Sequence, residues 1–206
     1  MAINRGQFFD VVREEVTGGK LNQGQVDGCR AVLDYWEKAW AKSDDRWLAY
    51  MLGTAYHESA HTMQPVRETR ASTDERAIEI LWKYYTAGKL PWVKKPYWDK
   101  DGQGKSWLGR GLVQLTHKSN YEKMTKATGI DLVGNPRKAM EMDAAVKVLV
   151  VGCIDGHFTG KKLKDYFHGE TADWKNARRV ITGPESMERV ASYARSFYKA
   201  ISYTTE

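Results

Sequence analysis

The segment YHESAH, residues 56–61, gathers the side chains with the most chemical potential in the chain. His57, Glu58 and His61 fit the H-E-x-x-H pattern, which on a helix sets two imidazoles one turn apart, able to share a zinc ion with the glutamate as base. Zinc needs a further ligand. Glu75 or Glu79 on a following helix could be proposed, while the longer pattern with a third histidine and a glycine is absent. Glu58 also has a second reading. It lies two helical turns beyond Met51, at the end of an apolar stripe. A carboxyl desolvated there stays protonated near neutrality and can act as the general acid of a glycosidase. A helix-end glutamate that is simply solvated has the same sequence, so the segment alone leaves all three readings open.

The elements that must position these groups follow from apolar periodicity. Phe8, Phe9, Val12 and Val16 mark one amphipathic helix, and Val26, Cys29, Val32, Leu33, Trp36 and Trp40 a second. A third is expected from Trp47 to about His61, with Leu48, Met51, Leu52 and Ala55 on one face. Residues 72 to 86 continue helically after a cap at Ser72 or Thr73. Between Gly88 and Gly111 the pattern breaks into Gly, Pro, Lys and Trp, which predicts loop or a small irregular lobe. Ser119 and Glu122 have capping-box spacing ahead of a short helix that Gly129 can close. The apolar stretch Ala144 to Phe158 reads as a central buried helix, and Met187, Val190, Ala191, Ala194, Phe197, Tyr198 and Ile201 as a terminal amphipathic one. The expected class is all-α with at most a minor sheet.

Composition limits the partners. With 206 residues and 42% hydrophobic content the chain can bury one substantial core, and it reads as one domain, 1–206, that could divide into two lobes. Residues 1–42 form its N-terminal helices. Thirty-two Lys and Arg against 26 Asp and Glu leave a net charge of +6, which favours encounter with a polyanion but also serves plain solubility. Cys29 and Cys153 sit on apolar helical stretches without zinc or redox spacing and read as buried free thiols. The N-terminus lacks the hydrophobic centre of a signal peptide, and no stretch approaches the ~20 apolar residues of a membrane span.

HESAHTMQPVRE, then WLGRGLVQLTHKSNY and DLVGNP, then NARRVITG, occur in that order along the chain. With these motifs the sequence resembles glycoside hydrolase family 19, above all its endolysin branch from phages that infect Gram-negative bacteria. The resemblance spans roughly residues 46–200, within a family core at 43–206, and the Gly-Arg-Gly block running into QLTHKSNY is its most specific part. It implies a lysozyme-like, two-lobed helical domain with a small irregular or minor β lobe. The implied activity is muramidase-type hydrolysis of bacterial peptidoglycan by an inverting, two-carboxylate mechanism.

In that resemblance Glu58 corresponds to the general acid and Glu68 to the second carboxylate, which activates water. Thr116 matches a hydroxyl that helps hold the attacking water, Gln114 and Asn120 match sugar-binding positions, and His57 precedes the acid and orients it. Arg178 and Arg179 stand where one arginine pairs with a catalytic carboxylate. Relatives often carry asparagine in an I-N-G segment where this chain has Ile181, Thr182 and Gly183. No cofactor, metal, nucleic acid or stable membrane insertion is implied. The resemblance points instead to a monomer held in the host cytoplasm until release to the wall at lysis. A chitinase acting on N-acetylglucosamine polymers and a zinc peptidase using His57, Glu58 and His61 are the alternatives. Trp82, Trp92, Trp98 and Trp107, interleaved with Lys83, Lys89, Lys94, Lys95 and Lys100, suit either sugar stacking beside anion contacts or a mini-core for the small lobe, and the mini-core is the favoured reading for most of them.

Overall fold

The computed structural model describes residues 2–204. Their regular structure is carried by α1 (Arg5–Glu15), α2 (Gln23–Trp40), α3 (Asp45–Glu58), α4 (Asp74–Thr86), α5 (Lys118–Thr128), α6 (Met142–Asp155) and α7 (Met187–Ala200). Two ladders complete it: β1 (Val66–Arg67) with β2 (Arg110–Gly111), and β3 (Phe167–His168) with β4 (Thr171–Ala172), both antiparallel. The fold is all-α and lysozyme-like, with sheet confined to these short pairs.

α3 is the post around which the larger lobe is built. Leu48 through Tyr56 are buried without interruption, so the helix is apolar on every side rather than on one stripe. At about 1.5–3 kcal/mol for each fully buried large side chain, Leu48, Met51 and Leu52 fix the helix whose last residue is Glu58. α7 crosses it closely. A Cβ on Gly53 would stand 2.7 Å from the Ala194 backbone nitrogen, so glycine here permits the two backbones to approach. α6, apolar from Ala144 to Ile154, adds a further buried layer, and α1 and α2 pack outside. Cys29 on α2 and Cys153 on α6 are buried free thiols.

A second, smaller core forms the other lobe. Ala77 and Leu81 of α4 enclose Trp98 and Leu108 from the irregular segment, with Trp82 and Tyr85 packed edge-on against the Trp98 ring. Trp98 is fully buried, Trp107 joins the main core, and Trp92 is 73% exposed. The mini-core reading therefore holds for Trp82 and Trp98 and fails for Trp92.

Helix ends depart from the sequence expectation at three places. α3 stops at Glu58 rather than running to His61. α5 begins at Lys118 behind His117, which adopts φ 70° and makes no side-chain cap, so Ser119 lies inside the helix and no capping box with Glu122 forms. α6 is closed at Asp155 by Gly156 at φ 76°, short of Phe158. Thr73 caps α4 by accepting from the Arg76 N–H at 3.1 Å, and Gly129 closes α5 in the left-handed conformation, both as expected.

Candidate active site

The turn after α3 determines what Glu58 can do. Ser59 ends the helix, and its hydroxyl accepts from the Met63 N–H at 2.9 Å, while Ala60, His61 and Met63 take φ of 52°, 71° and 54°. Such backbone costs of order 1–3 kcal/mol per residue and persists only where surroundings hold it. α2 supplies the hold: Gln25 donates to the His61 carbonyl at 2.9 Å, and Gln64 donates to the Gly24 carbonyl at 2.6 Å. The N-terminal helices thus brace the turn that follows Glu58.

This turn removes the premise of the zinc reading. His61 is not one helical turn beyond His57, because the helix has already ended. Its ring stacks on Tyr56 with centroids 4.5 Å apart, and its Nε2 is hydrogen-bonded to the Tyr193 hydroxyl at 3.0 Å. Among the described residues no group of three or more His, Cys, Asp or Glu side chains has metal-binding geometry. Glu75 is engaged by Arg137 at 3.0 Å and Glu79 by Arg76 at 2.6 Å.

Glu58 itself is not a carboxyl in an apolar pocket, as its place on the stripe suggested. Its Oε1 forms an ion pair with Arg178 Nη2 at 2.6 Å, and both side chains are largely buried. Arg178 comes from the single-turn helix Asn176–Val180, where its Nε donates to the Glu185 carbonyl at 3.2 Å; its buried Nη1 has no hydrogen-bond partner among the described residues. Arg179, its neighbour, is exposed and turned towards Asn176 at 3.5 Å, so only Arg178 reaches a candidate carboxylate. His57 precedes Glu58 on α3. Burial pushes its imidazole below the usual value, and Arg178, Arg189 and His61 act in the same direction against the pull of Glu58.

Glu68 is fixed from three sides. It follows β1 directly, and its N–H donates to the Gly109 carbonyl at 2.7 Å. The Gly109 N–H returns a bond to Glu68 Oε2 at 2.8 Å, and the Tyr97 hydroxyl donates to Oε1 at 2.5 Å. Short bonds to a carboxylate are of the charge-assisted kind. Burial first, then the Glu68 charge and the hydrogen bond to it, push the Tyr97 phenol well above its ordinary value, so it remains a donor. Each Glu68 oxygen keeps a further lone pair for another partner.

Thr116 and Gln114 meet Glu68 over Gly109. A Cβ at Gly109 would stand 2.8 Å from Gln114 Oε1, 3.2 Å from Thr116 Oγ1 and 3.4 Å from Glu68 Oε2. Gln114, at φ 51°, donates its amide to the Val66 carbonyl at 2.9 Å. Asn120 donates to the Thr116 carbonyl at 2.8 Å, and the Thr116 hydroxyl donates to the Gln114 carbonyl at 2.7 Å. Gln114 and Asn120 therefore brace the loop through backbone contacts, leaving Gln114 Oε1 turned to the space above Gly109. Thr69 and Arg70, just after Glu68, also adopt positive φ, which makes both loops beside the site strained.

Behind this cluster lies an ionic hub absent from the sequence reading. Asp74, the first residue of α4, is buried and accepts from Arg67 Nε at 2.7 Å, Arg110 Nη2 at 2.9 Å and Arg137 Nε at 3.0 Å. Burial alone would raise its carboxyl, but the bonds and charge of Arg110, followed by Arg67 and Arg137, outweigh it and hold Asp74 far below the usual carboxylate range. Arg67 and Arg110 flank Glu68 and Gly109 and pair across β1 and β2. Tyr97 and Asp74 escaped detection because nothing periodic surrounds Tyr97, and because one aspartate at a helix start is ordinary; only the arginine in the Gly-Arg-Gly block gave a signal.

Residues 83–153 match the family model of glycoside hydrolase 19, chitinase class I. Over this segment the chain is similar to the chitinase-like glycoside hydrolases of family 19. A rice protein, Chitinase 8 of Oryza sativa subsp. japonica, is 33% identical over 73 residues, which are 35% of this chain and 24% of the rice protein. The chain thus matches about a quarter of that relative's length. The chitinase-like segment contains Tyr97, Gly109, Gln114, Thr116 and Asn120, and it stops short of Glu58, Glu68 and Arg178.

Proposed function

We propose that this protein hydrolyses the glycan of bacterial peptidoglycan as a muramidase-type endolysin, with Glu58 as general acid and Glu68 as general base. The observation that carries the reading is the holding of Glu68: both oxygens are oriented by donors, with the Thr116 hydroxyl beside them over Gly109. A carboxylate so fixed, next to a hydroxyl, suits the orientation of one water molecule.

In the proposed reaction the protonated Glu58 carboxyl gives its proton to the leaving glycosidic oxygen as the bond from the anomeric carbon breaks. Water beside Thr116 attacks that carbon from the opposite face, and its proton passes to Glu68, so configuration inverts. The Arg178 guanidinium then stabilises the Glu58 carboxylate left behind. His57, next to Glu58, orients it, and Gln114 with Asn120 shapes the sugar-binding loop. No cofactor or nucleic acid takes part. The protein acts as a monomer, made in the cytoplasm of a bacterial host and meeting the wall at lysis.

A chitinase is the second reading, favoured by the fact that both matches are to chitinases. Product analysis separates the two. Purified walls digested with the protein, reduced with borohydride and hydrolysed are expected to yield muramitol. Glucosaminitol as the main product, or strong activity on chitin oligomers with none on walls, would reject the muramidase reading.

A further inference from the structure

Beside Glu68 the small lobe carries a groove of about 1080 Å³, of whose lining the proposed chemistry uses only Tyr97 and Thr116. Tyr97 and Thr116, the phenol on Glu68 and the hydroxyl near it, are among its lining. His117, Trp107 and Trp92 also line it, and Trp92 is a large aromatic left 73% exposed. Lys94, Lys95 and Lys118 line it and are exposed, and none is in an ion pair among the described residues. Lys118 Nζ lies 5.7 Å over the Trp107 ring, a cation above an aromatic face.

Of the charged side chains lining the groove, Asp99 and Asp101 offset only part of the charge of Lys94, Lys95, Lys100 and Lys118. Asp101 is committed to its own loop, accepting from the Gln103 and Lys105 N–H groups at 2.9 and 3.1 Å and from Trp107 Nε1 at 3.2 Å. Asp99 accepts from the Lys100 N–H at 3.1 Å, and Lys100 leans away towards Glu75 at 3.9 Å. Three lysines thus face open space beside aromatic surface, next to the catalytic water site. A neutral sugar polymer gives such lysines nothing to neutralise. A glycan whose rings carry carboxylate-bearing peptides does, and because Thr116 lines the groove those groups would hang from a ring at or next to the bond being cut.

We propose that this groove binds the anionic peptide stem carried by the muramic acid unit, with Lys94, Lys95 and Lys118 meeting its carboxylates and Trp92 covering its apolar side. The inference rests on the peptidoglycan reading above. It makes the small lobe the part of the protein that distinguishes peptide-bearing glycan from bare glycan.

The test compares wild type with the triple variant Lys94→Gln, Lys95→Gln, Lys118→Gln on two substrates: intact peptidoglycan and the same strands stripped of peptide by an amidase. Wild type is expected to prefer intact strands. In the variant, kcat/KM for intact strands relative to stripped strands is expected to fall roughly three- to tenfold, the scale of losing three exposed charge pairs together. The loss should be carried by KM. Lys→Arg at the same three positions, which keeps the charge, should restore the preference. If wild type digests walls but the ratio is the same in the variant, the groove is not the peptide site, and the muramidase reading stands. If folded wild type cuts no peptidoglycan at all, the muramidase reading falls, and this inference falls with it.

Discussion

Glu68 and Gly109 hold one another by two hydrogen bonds: the Glu68 N–H donates to the Gly109 carbonyl, and the Gly109 N–H donates to the Glu68 carboxylate. Backbone and side chain of the same glutamate are therefore set by one residue. The first prediction follows from the space above it. Gly109 has no positive φ, so alanine is tolerated by the backbone, but its methyl would press on Gln114 Oε1, whose amide is already tied to Val66. Gly109→Ala is expected to lower kcat roughly a hundredfold, the scale of a small misplacement of reacting groups, while the thermal midpoint moves by only a few degrees. Activity near wild type would show that the Glu68 orientation is not critical.

Tyr97→Phe removes only the hydroxyl that Glu68 Oε1 accepts from. The ring keeps its edge contacts with Trp98 and His117, so the fold is expected to persist. On purified walls kcat should fall by at least about tenfold with little change in KM, as for a group that orients rather than binds. A rise in KM alone would reassign Tyr97 to substrate binding.

Glu58→Gln keeps an acceptor for Arg178 but cannot give up a proton. Wall lysis should drop by several orders of magnitude with circular dichroism and melting unchanged. More than about a tenth of wild-type activity in folded protein would remove Glu58 from the acid role.

Prolonged EDTA treatment, followed by assay on isolated walls, is expected to leave activity intact. The expectation comes from His61, which faces Tyr193 and Tyr56 from a left-handed turn rather than from the helix that carries His57. Loss on chelation with recovery on adding zinc would restore the metal reading.

Asp74 supplies a prediction on stability. Its folded-state carboxyl lies far below the ordinary value, so its contribution is fully present above the unfolded value near 3.9 and is lost as pH falls below that towards the depressed folded value. Asp74→Asn strips three arginines of a buried partner and should cost about 3–5 kcal/mol near neutrality. Denaturant midpoints of wild type and variant, compared from pH 7 downward, should converge in acid. A constant difference down to pH 2 would mean that the charge is not what stabilises.

The sequence made helices visible through their apolar spacing, yet it said little about where they end. The helical spacing continues past Glu58 in the sequence, yet α3 ends there, in a turn held by the Ser59 hydroxyl and by Gln25 and Gln64 against α2. Capping chemistry misled at Ser119 because the backbone of His117 had already begun the helix. Arg178 and Arg179 are identical as letters, and packing alone separates the one beside Glu58 from the one in solvent. Tyr97 stands in a segment without period, and its partner is far along the chain, so its role required coordinates. Glu68 was legible through motif resemblance, whereas its three donors and acceptors were not.

The two thiols have a consequence beyond packing. Cys29 and Cys153 are both enclosed and unbridged, and burial pushes Cys29 up to about 12 and Cys153 in the same direction. Neither is appreciably thiolate at neutral pH, the form that attacks disulfides and meets oxidants. No crosslink has to form for this architecture to stand, and none is poised to form. A fold held together without a disulfide keeps the same shape under reducing and oxidising conditions.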